Sequence, residues 1–178
     1  MAIAVASLSL PALLSWLTTL FSEAPKTGFT VSFGVTFAIF YLLFDHHGWK
    51  WISVLHNIPD LNGDWTAMGT SSYKDPDSGE HLKFKMTVKV KQTFSQIEIF
   101  TETDDSTSRS FMASIETQHA VPILRYGFDN TPKNMSNAEL QRHPGMMELR
   151  ICDDTKMEGD YFSGKHRLRY GELILERS

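Results

Sequence analysis

The stretch His81-Leu82-Lys83-Phe84-Lys85-Met86-Thr87-Val88-Lys89-Val90-Lys91-Gln92 decides the fold class. Leu82, Phe84, Met86, Val88 and Val90 are apolar, and His81, Lys83, Lys85, Thr87, Lys89 and Lys91 between them are polar. A strict period of two marks a strand with one face buried and one in water. The segment before it, Asp75-Pro76-Asp77-Ser78-Gly79, has turn composition, so Asn62 to Tyr73 becomes its hairpin partner.

Strand signals continue outward at short intervals. Gln96 to Thr103 and Arg109 to Gln118 flank the polar turn Asp104-Asp105-Ser106-Thr107, and Val121 to Phe128 follows. Met146 to Cys152 and Met157 to Ser163 flank Asp153-Asp154-Thr155-Lys156. His166 to Glu176 is the last strand, with Gly171 marking a bulge. One helical signal interrupts the series, the capping pattern Ser136-Asn137-Ala138-Glu139, stopped by Pro144. About eight hairpin-linked strands over this length make the chain mainly β. Residues 60–178 are expected to form a small antiparallel barrel, which fills its interior with side chains or holds one small ligand. A sandwich is the alternative.

The N-terminal quarter reads differently. Ala2 to Ser22 and Thr27 to Phe44 lack charged side chains, and only Glu23-Ala24-Pro25-Lys26 separates them. As helices they would reach about 31 Å and about 27 Å, enough to cross a bilayer core. So short a connection makes a two-helix transmembrane hairpin over residues 1–48. The other reading, a cleaved signal peptide, lacks a basic leader and would place Pro25 at the cleavage site. Phe29, Phe33, Phe37, Phe40 and Phe44 form one aromatic stripe beside the small-residue rows Gly28/Ser32/Thr36 and Gly34/Ala38. Such rows allow close packing in lipid, either within one hairpin or between copies. Residues 49–59 form an interfacial linker, with Trp49, Lys50 and Trp51 as a belt just past the second span. Lys50 and the amino terminus against Lys26 favour both ends in the cytoplasm.

Composition excludes several classes. The charged residues before Asn57 are Glu23, Lys26, Asp45 and Lys50, which cancel, so the net charge of −4 belongs to the strand-rich part. A mildly acidic domain does not wrap long nucleic acid. The single cysteine, Cys152, lies in an apolar run and is expected to be a buried thiol, with no intrachain disulfide. No His-Glu-x-x-His, cysteine pair, Gly-x-Ser-x-Gly or phosphate loop is present, so neither a metal site, nor a cofactor, nor a catalytic residue is expected. Asp75 to Glu80 resembles a calcium loop, but its glycine is one place early and Met86 stands where a bidentate Glu belongs.

The C-terminal run Tyr161-Phe162-Ser163-Gly164-Lys165-His166-Arg167-Leu168-Arg169-Tyr170-Gly171 interleaves aromatics with cations. Arginine offers forked donors to phosphate, and aromatic rings offer faces to bases. Arg167, Arg169, Tyr161 and Tyr170 are therefore candidate ligand-binding residues, with Tyr126, Arg125 and Arg150 as additions. The other reading of each is a cation that solvates the outside of a barrel. Asn62-Gly63-Asp64-Trp65 opens the domain. A Gly-x-Trp on the first strand with an arginine near the last also occurs in lipocalin-type barrels, so Trp65 is the candidate plug of one barrel end, covered by Arg169 or Arg177.

Two spans, then Ile58-Pro59-Asp60-Leu61-Asn62-Gly63-Asp64-Trp65, then strands closing with Tyr161, Gly164, Arg167 and Tyr170-Gly171-Glu172-Leu173, resemble the two-transmembrane, β-strand-rich effectors of CBASS, the bacterial antiphage signalling by cyclic oligonucleotides. The resemblance implies a non-enzymatic effector linked to a CD-NTase that makes a cyclic dinucleotide. It implies that the barrel, in the cytoplasm, binds this messenger. It further implies a homo-oligomer on activation, contact with membrane lipids, and disruption of the inner membrane that aborts infection. The alternative is a membrane-tethered, lipocalin-like carrier of a lipid or other apolar ligand.

Overall fold

The computed structural model describes residues 33–56, 58–117, 120–134, 142–164 and 168–178. The chain divides into two compact units, Met1–Ile39 and Phe40–Ser178. The first expected span, residues 27–32 of the second, the 136–139 helix and Arg167 lie outside the described residues. Helix α1 runs Phe33–Leu43, a π-helical turn follows over Phe44–Gly48, and α2 covers Trp49–His56. Among the described residues no helix is long and apolar enough to cross a membrane.

Eight strands follow: β1 Gly63–Lys74, β2 His81–Gln92, β3 Ile97–Glu102, β4 Ser106–Glu116, β5 Ile123–Pro132, β6 His143–Ile151, β7 Lys156–Ser163 and β8 Arg169–Arg177. Each pairs antiparallel with its neighbour in sequence, and β8 returns to β1, which closes the barrel. Closure leaves no free sheet edge, and it rules out the sandwich. The alternation in β2 holds over most of the strand: Met86, Val88 and Val90 point inward and Lys83, Lys85, Lys89 and Lys91 outward. Leu82, expected to be buried, is exposed because the barrel opens at that end.

The core is Trp65, Ala67, Val88, Val90, Ile99, Leu124, Tyr126, Leu149, Ile151, Met157, Leu173 and Leu175, closed below by Leu61. Two expectations fail locally. Cys152 is exposed, because the inward phase of β6 ends on Ile151 and the chain turns out. Gly171 is not a bulge. It pairs in register with Ser71 and Tyr161, and it is glycine because a Cβ there would overlap the Thr70 carbonyl oxygen and the Tyr161 ring. The irregularities fall instead between Thr70 and Lys74 and between Ser110 and Met112. Gly171→Ala is expected to destabilise the barrel by about 1–3 kcal/mol through overpacking, against about 1 kcal/mol for Gly79→Ala in the exposed turn, where only a positive φ is at stake. Thermal melts of the two variants check this.

The segment after α1 is tied to the barrel's closed end. Phe44 meets Phe94 edge-on with centroids 5.1 Å apart. The buried Asp45 carboxylate accepts the Ser95 N–H at 2.9 Å, and its carbonyl accepts the Phe94 N–H at 3.0 Å. Lys50 bridges to Asp60 at 2.7 Å. Trp49 is fully buried while Trp51 is almost fully exposed, since residues two apart point about 200° apart on a helix. The expected belt is thus split, one tryptophan serving the domain and the other facing out. Burial pushes the Asp45 carboxyl up, but hydrogen bonds from Ser95 and Thr93 outweigh it and leave the pKa below the ordinary value. A lowered folded value stabilises the joint above the unfolded carboxylate pKa, and that contribution is lost as pH falls through the folded value. Asp45→Ala leaves the Ser95 amide without its acceptor. Its hydrogen exchange in the detergent-solubilised full chain is expected to rise about tenfold or more.

Candidate functional site

The two barrel ends have opposite character. At the closed end Trp65 is fully buried and donates its indole N–H to the Leu61 carbonyl at 3.0 Å. Arg177, opposite Trp65 in the ladder, lies 4.7 Å above its ring and donates to the Asp60 carbonyl. Leu61 is held in turn by Gln92, whose side-chain oxygen accepts the Leu61 N–H at 2.8 Å. Of the two arginines proposed to cover Trp65, the structure selects Arg177.

At the open end the inward phase of the strands turns polar. Ser71, Thr101, Asn130, His143 and Ser163 are buried there, and Ser108 donates to Asn130 at 2.9 Å. They ring a cavity of about 200 Å³ whose floor is Phe84, Met86, Tyr126, Phe128, Met147 and Tyr161. Among its described lining residues Arg169 is the one permanent cation. Arg169 is opposite Ser163 in the ladder and stacks on the Tyr73 ring at 4.0 Å. The mouth thus offers hydroxyl and amide groups, aromatic rings, the Asp105 carboxylate and one guanidinium whose fork has no carboxylate partner among the described residues. Those groups suit a ligand with polar edges, π-faces and an anionic group. Side chains fill the closed half, so a long apolar chain finds no channel there.

The sequence candidates separate under this geometry. Arg169, Tyr161 and Tyr126 come together at the mouth. Tyr161 packs edge-on against Phe84 at 5.7 Å. Tyr126 is a floor residue whose hydroxyl meets the Met147 sulfur at 2.8 Å, and burial pushes its pKa up. Arg125 is on the outer face and is clasped by Glu148 and Glu116, which raise its pKa. Two carboxylates already neutralise it, so it is a poor phosphate ligand. Arg150 also points outward, and Tyr170 lines a separate groove outside the wall. Sequence reasoning missed Tyr73 and the polar ring. The available signal was polar residues on the inward phase: Ser71 in phase with Trp65, Thr101 with Ile99, Ser163 with Met157.

Comparison with known proteins falls on the same part of the chain. Residues 56–177 match the model of the family described as Cap15, cyclic dinucleotide receptor domain. The chain belongs to this family. It is 30% identical over 161 residues to CD-NTase-associated protein 15 of Yersinia aleksiciae, covering 88% of this chain and 74% of that protein. It is also 30% identical over 150 residues to CD-NTase-associated protein 15 of Staphylococcus schleiferi, covering 83% and 78%. The family match begins at the end of α2 and covers every strand of the barrel, so the Cap15 family domain contains both the Trp65 plug and the mouth.

Proposed function

We propose that this chain is a non-enzymatic CBASS effector whose barrel mouth binds a cyclic dinucleotide. The carrying observation is that the region matched by a family of cyclic dinucleotide receptors coincides with a barrel closed at one end and open at the other onto a polar ring with Arg169. The cavity, about 200 Å³, is smaller than ordinary ligand pockets of about 300–1,000 Å³. A cyclic dinucleotide therefore inserts one base among Tyr161, Phe84 and the ring of hydroxyl and amide groups. Its phosphates stay at the rim, where Arg169 meets them. The lipid-carrier alternative is disfavoured by a filled closed half and a polar mouth.

The N-terminal segment completes the reading. Residues 1–48 supply a two-helix hairpin whose spans, the second ending at Phe44, lie in the inner membrane, and the barrel hangs from it in the cytoplasm. Support comes from the uncharged lengths in the sequence and from α1, where Val35, Phe37, Ile39, Phe40, Leu42 and Leu43 are all exposed. A helix apolar all round belongs in lipid or in a core. The joint at Asp45 and Lys50 binds the segment after α1 to the closed end, so the mouth opens away from it. Messenger binding favours an assembled state over an idle one, and the assembled hairpins disrupt the membrane, which aborts infection. The messenger comes from an associated CD-NTase.

The test is dye release from liposomes carrying the full chain. A cyclic dinucleotide is expected to release dye, and replacing residues 1–43 by an unrelated two-span anchor is expected to stop release while ligand binding persists. Release that survives the replacement would reduce the hairpin to a tether.

A further inference from the structure

The inward phase of β5 runs Leu124, Tyr126, Phe128 and Asn130. The first three are large apolar or aromatic side chains that fill the barrel. The fourth is a primary amide, only 8% exposed. A buried amide costs free energy unless its acceptor and its donors are all matched. Here only the acceptor is matched. The Ser108 hydroxyl, opposite Asn130 in the β4–β5 ladder, donates to its Oδ1 at 2.9 Å. Asn130 lines the cavity of the mouth, and its amide nitrogen meets no protein acceptor among the described residues.

The other polar groups of the ring adapt to whatever they face. The hydroxyls of Ser71, Thr101 and Ser163 can donate or accept, and the His143 imidazole can change tautomer. The Asp105 carboxylate at the rim only accepts, but every nucleobase carries an N–H that suits it. Asn130 differs from all of these. With its oxygen held by Ser108, it faces the cavity as a donor. We propose that Asn130 is the base-reading residue of the mouth and selects a keto base, guanine or uracil, over an amino base, adenine or cytosine. Guanine and uracil carry an accepting oxygen where adenine and cytosine carry an amino donor. The oxygen completes the Asn130 amide. An amino group there sets donor against donor and leaves both unpaired inside the barrel, which is the mismatch a buried site rejects most strongly. The placement around the ring fits. Strand β5 is three places from β8, so a nucleotide with its phosphate on Arg169 extends its base across the mouth toward Asn130. The inference rests on the cyclic dinucleotide reading proposed above and adds to it the class of base.

The test is calorimetric titration of the full chain in detergent with two groups of cyclic dinucleotides. One group contains at least one guanine or uracil, and the other contains adenine and cytosine alone. The native chain is expected to bind the best of the first group about tenfold or more tighter than the best of the second. Asn130→Asp keeps the shape and replaces the donor by an acceptor, so the order of the two groups should invert. The added charge weakens binding of every member through the shared phosphates, and the ratio between groups is therefore the readout. Ser108→Ala frees Oδ1, lets the amide present either end, and should bring the two groups within about threefold of each other. It also keeps the inference testable if Asn130→Asp fails to fold, which a melt without ligand reports. A native chain that binds the amino-base group equally or better would overturn the inference while leaving the cyclic dinucleotide reading in place. So would a folded Asn130→Asp variant that keeps the native order. A native chain that binds no member of either group would overturn the binding reading itself, and this inference with it.

Discussion

Arg169→Ala is expected to weaken binding of a cyclic dinucleotide by about 10- to 100-fold. A hydrogen bond to a charged group contributes about 1.5–3 kcal/mol, and each 1.4 kcal/mol is a factor of ten. The side chain is available because, among the described residues, its partner is a ring and not a carboxylate: it lies over Tyr73 at 4.0 Å. It also sits at the end of β8, above the core, so its loss should leave the apo melting temperature almost unchanged. Calorimetric titration of the full chain measures the affinity, and a melt without ligand measures the fold. Arg150→Ala is the matched control. It removes an arginine from the outer face of β6 and should leave affinity as it was.

Trp65→Ala carries the largest expected effect on stability, a loss of about 3–5 kcal/mol. Trp65 is fully buried at the closed end, and three supports converge there: the Leu61 carbonyl on its N–H, Arg177 over its face, and Val88 opposite it in the ladder. Removing the ring opens a cavity and strands the Arg177 guanidinium over empty space. For a domain of this size the melting temperature should drop by roughly 10–20 °C. Trp65→Phe keeps most of the volume and should lose less. The mouth lies at the other end, so affinity measured below the lowered melting temperature should change little. The pair of variants therefore separates a plug that holds the barrel from a rim that holds the ligand.

Much of the barrel was readable in the sequence because β2 is almost ideally alternating and the turns are rich in Asp, Ser and Gly. Closure was harder to read, since it depends on Trp65 pairing with Arg177 across 112 residues of chain, which no local pattern announces. The site was half legible. The cluster around Tyr161 and Arg169 stood out by composition, but alternation puts neighbours on opposite walls. Tyr161 therefore faces in while Phe162 and Tyr170 face out. Arg125 has the chemistry of a phosphate ligand, but Glu116 and Glu148, from the two neighbouring strands, hold it. The polar ring was invisible to a search for charges because it is built of serine, threonine, asparagine and histidine. Trp49 and Trp51 looked alike in sequence, and helical phase sends one into the domain and the other away from it.

The central claim is that the mouth of this barrel receives a cyclic dinucleotide. Titration of a full panel of cyclic dinucleotides into the purified full chain, with linear dinucleotides as the comparison, tests it most directly. The account predicts saturable heat and a raised melting temperature for one or a few cyclic members, with both responses lost in Arg169→Ala. A folded barrel that gives neither response to any member of the panel would contradict it.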